Sequence, residues 1–169
     1  MVDIEADGPV PGLYSMVELG AVIVEHSLTK TFHGKLKPIS DNYKVDALSS
    51  FNRTRDDTLK FDDPLYVMTE FEKWINKNSN GRHMFISDNN GFDWMFTCYY
   101  FHKFLNNNPF GYSSTNLGSL YKGMVKNTFK NFKKLRKTAH THNPVDDAVG
   151  NAEALLYMYD NMNLNIDLR

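Results

Sequence analysis

Residues 17–25 form a dense β-branched run and residues 31–39 alternate apolar with polar side chains, a pattern that predicts two paired antiparallel strands. Residues 40–66 hold no sustained period and read as a loop-rich excursion ending in the acidic group Asp56, Asp57, Asp62 and Asp63. Val67, Phe71, Trp74 and Ile75 then fall at helical spacing within residues 65–78. Residues 84–87 predict a short buried strand, bounded by Gly81 and by Asn89-Asn90-Gly91. Phe92, Phe96, Tyr99 and Lys103 continue as a helix that stops before Asn106-Asn107-Asn108-Pro109. Val145, Val149, Ala152, Leu156 and Tyr159 mark a last helix, with residues 161–169 left as a tail. Strand-like and helix-like stretches alternate, which predicts a mixed α/β fold rather than a bundle or a sandwich. With no repeat or linker in sight, residues 1–169 read as a single domain, long enough for one core and short for two.

Composition narrows the class. A chain that is 41% hydrophobic and 14% aromatic has enough apolar surface to fold, which excludes disorder. A net charge of -1 means that attraction for a polyanion must come from local asymmetry or bound metal. Cys98 stands alone among apolar neighbours and reads as a buried reduced thiol. No basic-then-apolar leader and no apolar run near the roughly 20 residues of a membrane span is present, so a cytoplasmic protein without membrane contact is expected.

Three separated acidic clusters carry the candidate chemistry. In Asp3-Ile4-Glu5 the two acids lie two apart on a predicted strand, so both project to one face while Ile4 turns to the core. In Asn89-Asn90-Gly91-Phe92-Asp93 an asparagine can cap the following helix, and Asp93 falls in its first turn, where the helix dipole favours an acid. In His142-Asn143-Pro144-Val145-Asp146-Asp147, Asn143 and Pro144 fit an N-cap and first helical residue, leaving His142 on the preceding loop and Asp147 in the first turn. A loop histidine beside a helix-fixed carboxylate suits a general base working next to a metal; His140 reads as merely exposed. A solvated strand end or a dipole-matched helix start would explain each cluster taken singly.

Asp3-x-Glu5, Asn89-x-x-Phe92-Asp93 and His142 five residues before Asp147, in that order, resemble the DEDDh exonucleases. The resemblance spans residues 3–147 and implies a ribonuclease H-like mixed β-sheet flanked by helices. It further implies a two-metal hydrolysis that removes nucleotides from a 3′ end. Asp3, Glu5, Asp93 and Asp147 would be the ligands of two divalent ions, Mg²⁺ or Mn²⁺, and His142 the base. All-oxygen ligation suits hard cations, and two of them would cancel a formal charge of about -4 while bridging a phosphate. The sequence departs from the family after Glu5, where Ala6-Asp7-Gly8 keeps a glycine but loses a hydroxyl, and at Asp88, where relatives frequently have His.

Single-stranded RNA or DNA 3′ ends are therefore the expected partner, with RNA placed ahead of DNA, and a homodimer is compatible with the aromatic excess. From Lys122 to Lys137 there are seven cations and no acid. Read as a helix, this segment would put Lys122, Lys126, Lys130, Lys133 and Lys137 on one face and Val125, Phe129 and Phe132 on another, a guide for the strand or an ordinary solvated face. Tyr14, Met16, Asn89, Phe92, Lys134 and Lys137 are the expected substrate contacts. Two other classes share these features: a phosphoesterase of very short oligonucleotides, and a non-catalytic nucleic-acid-binding module on the same fold.

Overall fold

The computed structural model describes residues 1–79 and 81–168. Strand β1 (Val2–Ala6) pairs antiparallel with β2 (Met16–Val22), which pairs antiparallel with β3 (Thr31–Lys35). Two short helices, α1 (Val45–Ser50) and α2 (Arg55–Thr58), precede α3 (Pro64–Asn78). Strand β4 (Phe85–Ser87), helix α4 (Asn90–Leu105), strand β5 (Ser114–Asn116), helix α5 (Leu117–Met124), a 3₁₀ turn (Lys133–Leu135) and α6 (Pro144–Asn161) complete the chain, with β4 and β5 paired in parallel.

Alternation along β1 sorts the two faces of the sheet. Val2, Ile4 and Ala6 are buried and join Leu19, Ala21 and Leu36 against the apolar sides of α3 and α4, including Phe71, Phe96, Tyr100 and Phe101. The opposite face carries Asp3 and Glu5 and packs, through Val22, against Leu117 and Tyr121 of α5 and Ala148, Ala152, Leu155 and Met158 of α6. Central strand β2 is buried along its whole length, which is why it reads as a continuous apolar run rather than an alternation.

Helix α6 sits on the acid-bearing face at one close approach. A Cβ on Gly20 would collide with the backbone of Pro144, so only glycine admits the start of the helix to this part of the sheet. Asp3 is the β1 partner of Gly20, and the same seat therefore fixes where the first turn of α6 meets β1. The turn itself begins as expected: the Asn143 side chain accepts the N–H groups of Val145 and Asp146, with Pro144 at the first helical position.

The structure departs from the sequence reading in five places. The excursion 40–66 contains α1 and α2, the latter closed by a capping box between Thr54 and Asp57. Asn89 occupies the N-cap of α4 without a side-chain cap bond, and the Asn90 amide instead donates to Ser87 Oγ. The basic segment is not a continuous helix: α5 ends in a Schellman closure, Asn127 N–H donating to Lys122 O and Lys126 N–H to Gly123 O, with Lys126 in the left-handed region at φ 51°. Phe132 then turns into the core while Phe129 stays in water, a division that a shared helical face forbids. Beyond α6, Met162, Leu164 and Ile166 pack on the second core, so this stretch is anchored rather than a free tail; Arg169 lies outside the described residues. Cys98 is half-buried rather than enclosed.

Gly20→Ala is expected to lower stability by about 1–3 kcal/mol, the cost typical of an overpacked contact, in urea unfolding. An unchanged midpoint would mean that α6 does not rest on this glycine.

Candidate active site

β1, α4 and α6 bring the three acidic clusters together. One carboxylate oxygen from each of Asp3, Glu5 and Asp147 lies within 4.8 Å of the others. Asp93 flanks this triad from the first turn of α4: the Ser87 hydroxyl and the Ile4 N–H donate to it, and its Oδ2 is buried without a hydrogen-bond partner among the described residues. A buried carboxylate oxygen with no donor is costly unless something positively charged meets it.

The cluster is electrostatically strained. Burial, then the carboxylates of Asp93, Glu5 and Asp147, raise the Asp3 carboxyl well above its ordinary range, although the Arg136 guanidinium opposes them. Glu5 is pushed up to about 8 by burial, then by Asp147, Glu18 and Asp93. Asp93 is raised to about 7, chiefly by burial. Glu18, the β2 partner of Glu5, is held ionised by Arg53 and His33, whose hydrogen bonds outweigh its burial and lower its pKa.

Asp147 is the best-anchored acid. Its Oδ1 accepts from Arg136 Nη2 at 2.8 Å and the Thr141 N–H at 3.3 Å, and its Oδ2 accepts from the His142 N–H at 3.0 Å. Arg136 crosses α6 over Gly150, where a Cβ would strike the guanidinium, and it also binds Asn151 and the carbonyl of Thr138. Sequence reasoning missed Arg136; the small Gly150 three residues beyond Asp147 was its only trace.

His142 has φ 57°, and its Nδ1 lies 3.6 Å from Glu5 Oε1. His140, read as merely exposed, is exposed but not idle: its Nδ1 stands 2.8 Å from Asp147 Oδ1, and its ring meets the His142 ring edge-to-face with centroids 4.3 Å apart.

Beside Glu5 opens a cleft of about 300 Å³ lined by Ala6, Gly8, Pro9, Phe92 and, from α1 and its N-cap, Lys44, Ala47 and Ser50. The α1 wall is tied to the end of β1, for Lys44 N–H donates to Asp7 O at 2.8 Å and the buried Asp7 carboxylate accepts from Arg55 Nη1 at 2.9 Å. Phe92, expected as a substrate contact, lines this cleft, and the half-buried Tyr14 ring packs against Gly8. Asn89, Lys134 and Lys137 are exposed on the surface. Met16 is a correction: its side chain is fully buried in the first core and its N–H donates to the buried Tyr100 hydroxyl, so it cannot touch a substrate. Lys44 was not anticipated, because residues 40–66 gave no period from which to place it.

The chain matches the RNase T exonuclease family over residues 1–155. It is 37% identical over 129 residues to the 3′-5′ DNA exonuclease Cap18 of Escherichia coli, a match covering 73% of this chain and 67% of the relative. Among solved structures, the nuclease domain of 3′hExo, a DEDDh family member bound to rAMP, superposes with a TM-score of 0.75 at 18% identity over 98% of this chain and 94% of that one. Cell-death related nuclease 4 gives 0.73 at 13% over 94% and 62%. The zinc-bound E. coli ExoI–ssDNA complex gives 0.69 at 15% over 95% and 40%. These likenesses establish the ribonuclease H-like fold, and among the described residues no helix is long and apolar enough to cross a membrane. Family match, relative and fold agree with the order of the three acidic motifs: the chain belongs to the RNase T family and is a DEDDh-type 3′-5′ exonuclease.

Proposed function

We propose that this exonuclease shortens single-stranded nucleic acid from its 3′ end at the Asp3–Glu5–Asp93–Asp147 cluster, with His142 as general base. The observation that carries the reading is the convergence of three carboxylates within 4.8 Å beside a fourth whose buried oxygen lacks a donor. An all-oxygen donor set of this charge fits two hard divalent cations, Mg²⁺ or Mn²⁺, and fits a soft metal poorly. Bound there, such ions would lower the pKa of the attacking water and balance charge on the leaving 3′ oxygen.

The residues of the chain supply the rest. Asp147, fixed by Arg136 and two backbone N–H groups, is the stationary ligand, and Asp3 and Glu5 face it from the rigid edge of β1. His142 reaches toward Glu5 from a loop and accepts the proton of the attacking water, while His140 stays tethered to Asp147 on the rim. The cleft between Phe92 and the α1 wall receives the terminal nucleotide, and Tyr14, Asn89, Lys134 and Lys137 are assigned as further contacts of the strand. The relative named a DNA exonuclease favours DNA and does not support the ranking of RNA first. A binding module that had lost its chemistry is disfavoured, because all five motif positions are filled.

His142→Ala is expected to lower the single-turnover rate by roughly 10²–10⁴-fold with Mn²⁺ affinity nearly intact, whereas His140→Ala changes little. A severe loss at His140 with His142 near wild type would assign the base to the other ring.

Because Glu5 and Asp93 titrate higher in the folded chain than in an unfolded one, the folded state holds more protons between their ordinary carboxylate range and about 8. Stability of the metal-free protein is therefore present at low pH and is lost as pH rises through that window. Thermal melts are expected to fall from about pH 5.5 to about pH 8 in EDTA, with the stabilisation by added Mn²⁺ largest at the upper end. Melting temperatures that are flat with pH and indifferent to Mn²⁺ would contradict the assignment of the acids as ligands.

A further inference from the structure

The stretch between α5 and the histidine loop enters the reading above only through Lys134 and Lys137, yet it is unusual in two independent ways. Phe129 is 96% exposed, projecting from a short loop whose shape is set by the Asn127 side chain accepting the Phe129 N–H and by the left-handed Lys126. A solitary exposed apolar residue needs no explanation by itself. Around it, however, Lys122, Lys126, Lys130, Lys133 and Lys134 are all exposed, and none of the five forms a salt bridge among the described residues. Residues 122–137 hold seven cations and no acid in a chain whose net charge is -1, so the positive potential is concentrated here.

The loop is firmly mounted. Tyr121 before it and Phe132 after it are buried in the second core, and Leu135 packs on the same cluster. Phe129 is three residues from Phe132, hence within about 11 Å of it. Four residues further on, Arg136 binds Asp147, so this basic loop leads directly into the acid cluster.

We propose that residues 126–134 form a second nucleic-acid contact outside the cleft, in which Phe129 stacks on a base upstream of the 3′ terminus and the flanking lysines neutralise its backbone phosphates. The proposal rests on the exonuclease reading of the acid cluster and adds a binding subsite to it. An aromatic face on a cationic rim is the combination that holds single strands without regard to sequence, since every base offers a π-face. On this proposal a dinucleotide held at the acid cluster leaves the loop unoccupied, so only a longer strand gains from Phe129.

The test compares Phe129→Ala and the double variant Lys130→Ala/Lys133→Ala with wild type. Binding of a 5′-labelled single strand of about 20 nucleotides is followed by anisotropy in EDTA, and KM in Mn²⁺ is measured for the same strand and for a dinucleotide. Phe129→Ala is expected to raise both the Kd and the KM of the long strand about tenfold while the dinucleotide KM stays within about twofold. The double variant should weaken long-strand binding and reduce its salt slope by about 0.7 for each lysine removed. Tyr112→Ala, also 96% exposed but outside this segment, is the control that changes neither. Long-strand binding unchanged in both variants, absent from wild type, or lost in parallel with the dinucleotide would overturn the proposal. A wild type that binds the strand but cleaves nothing in Mn²⁺ would sink the catalytic reading instead, with the Kd comparison still deciding the role of the loop.

Discussion

Four carboxylates borne by three separate elements are held close together in a poorly hydrated place, and their mutual repulsion is the cost that the surrounding structure must offset. Burial dominates the upward shifts of Asp3, Glu5 and Asp93, with neighbouring acids adding to each of the two on β1. Left alone, such a cluster would push α6 away from β1. Three restraints oppose that. Gly20 lets the helix start rest against the sheet, the second core clamps its length, and Arg136 with two backbone N–H groups grips Asp147.

The same restraints divide the site into a fixed and an adjustable part. Asp3 and Glu5 sit on a strand laddered to β2, Asp147 sits in the first turn of α6, and Asp93 begins a helix buried in the first core. The two histidines ride on the loop that precedes α6, exposed and in contact with one another. Carboxylates on regular elements beside loop-borne histidines form, on the proposed reading, an arrangement in which geometry at the phosphate can be kept while the histidine approaches and leaves. The basic loop before Arg136 is anchored by Tyr121 and Phe132 in the second core and leads in sequence to the residue that holds Asp147.

Much of this was legible in the chain wherever local chemistry decides local structure. The Asp3–Glu5 alternation with Ile4 inward, the Asn143–Pro144 helix start and the helical spacing of 65–78 all follow from short-range rules, and the structure obeys them. What escaped depended on contacts far apart in sequence. Met16 lies close to the first acidic motif in sequence, but its burial is settled by Tyr100, 84 residues away. The apparent helix from Lys122 onward has acceptable spacing, yet a Schellman closure at Lys126 and the pull of the second core on Phe132 end it. Arg136 looked like one more cation in a basic run until α6 brought Asp147 beneath it. His140 looked like solvent-facing surface for the same reason.

The central claim is that this cluster of acids works as one cation-dependent hydrolytic centre acting at a free 3′ end. The direct measurement is the time course of a 5′-labelled single strand in Mg²⁺ or Mn²⁺, run with wild type and with Asp93→Asn, an isosteric change at the carboxylate with the unpartnered oxygen. The account predicts a ladder that shortens stepwise from the 3′ end, disappears in EDTA or when the 3′ end is blocked, and is lost in Asp93→Asn with the fold retained. Cleavage that persists in EDTA, ignores a 3′ block, or survives Asp93→Asn at the wild-type rate would contradict it.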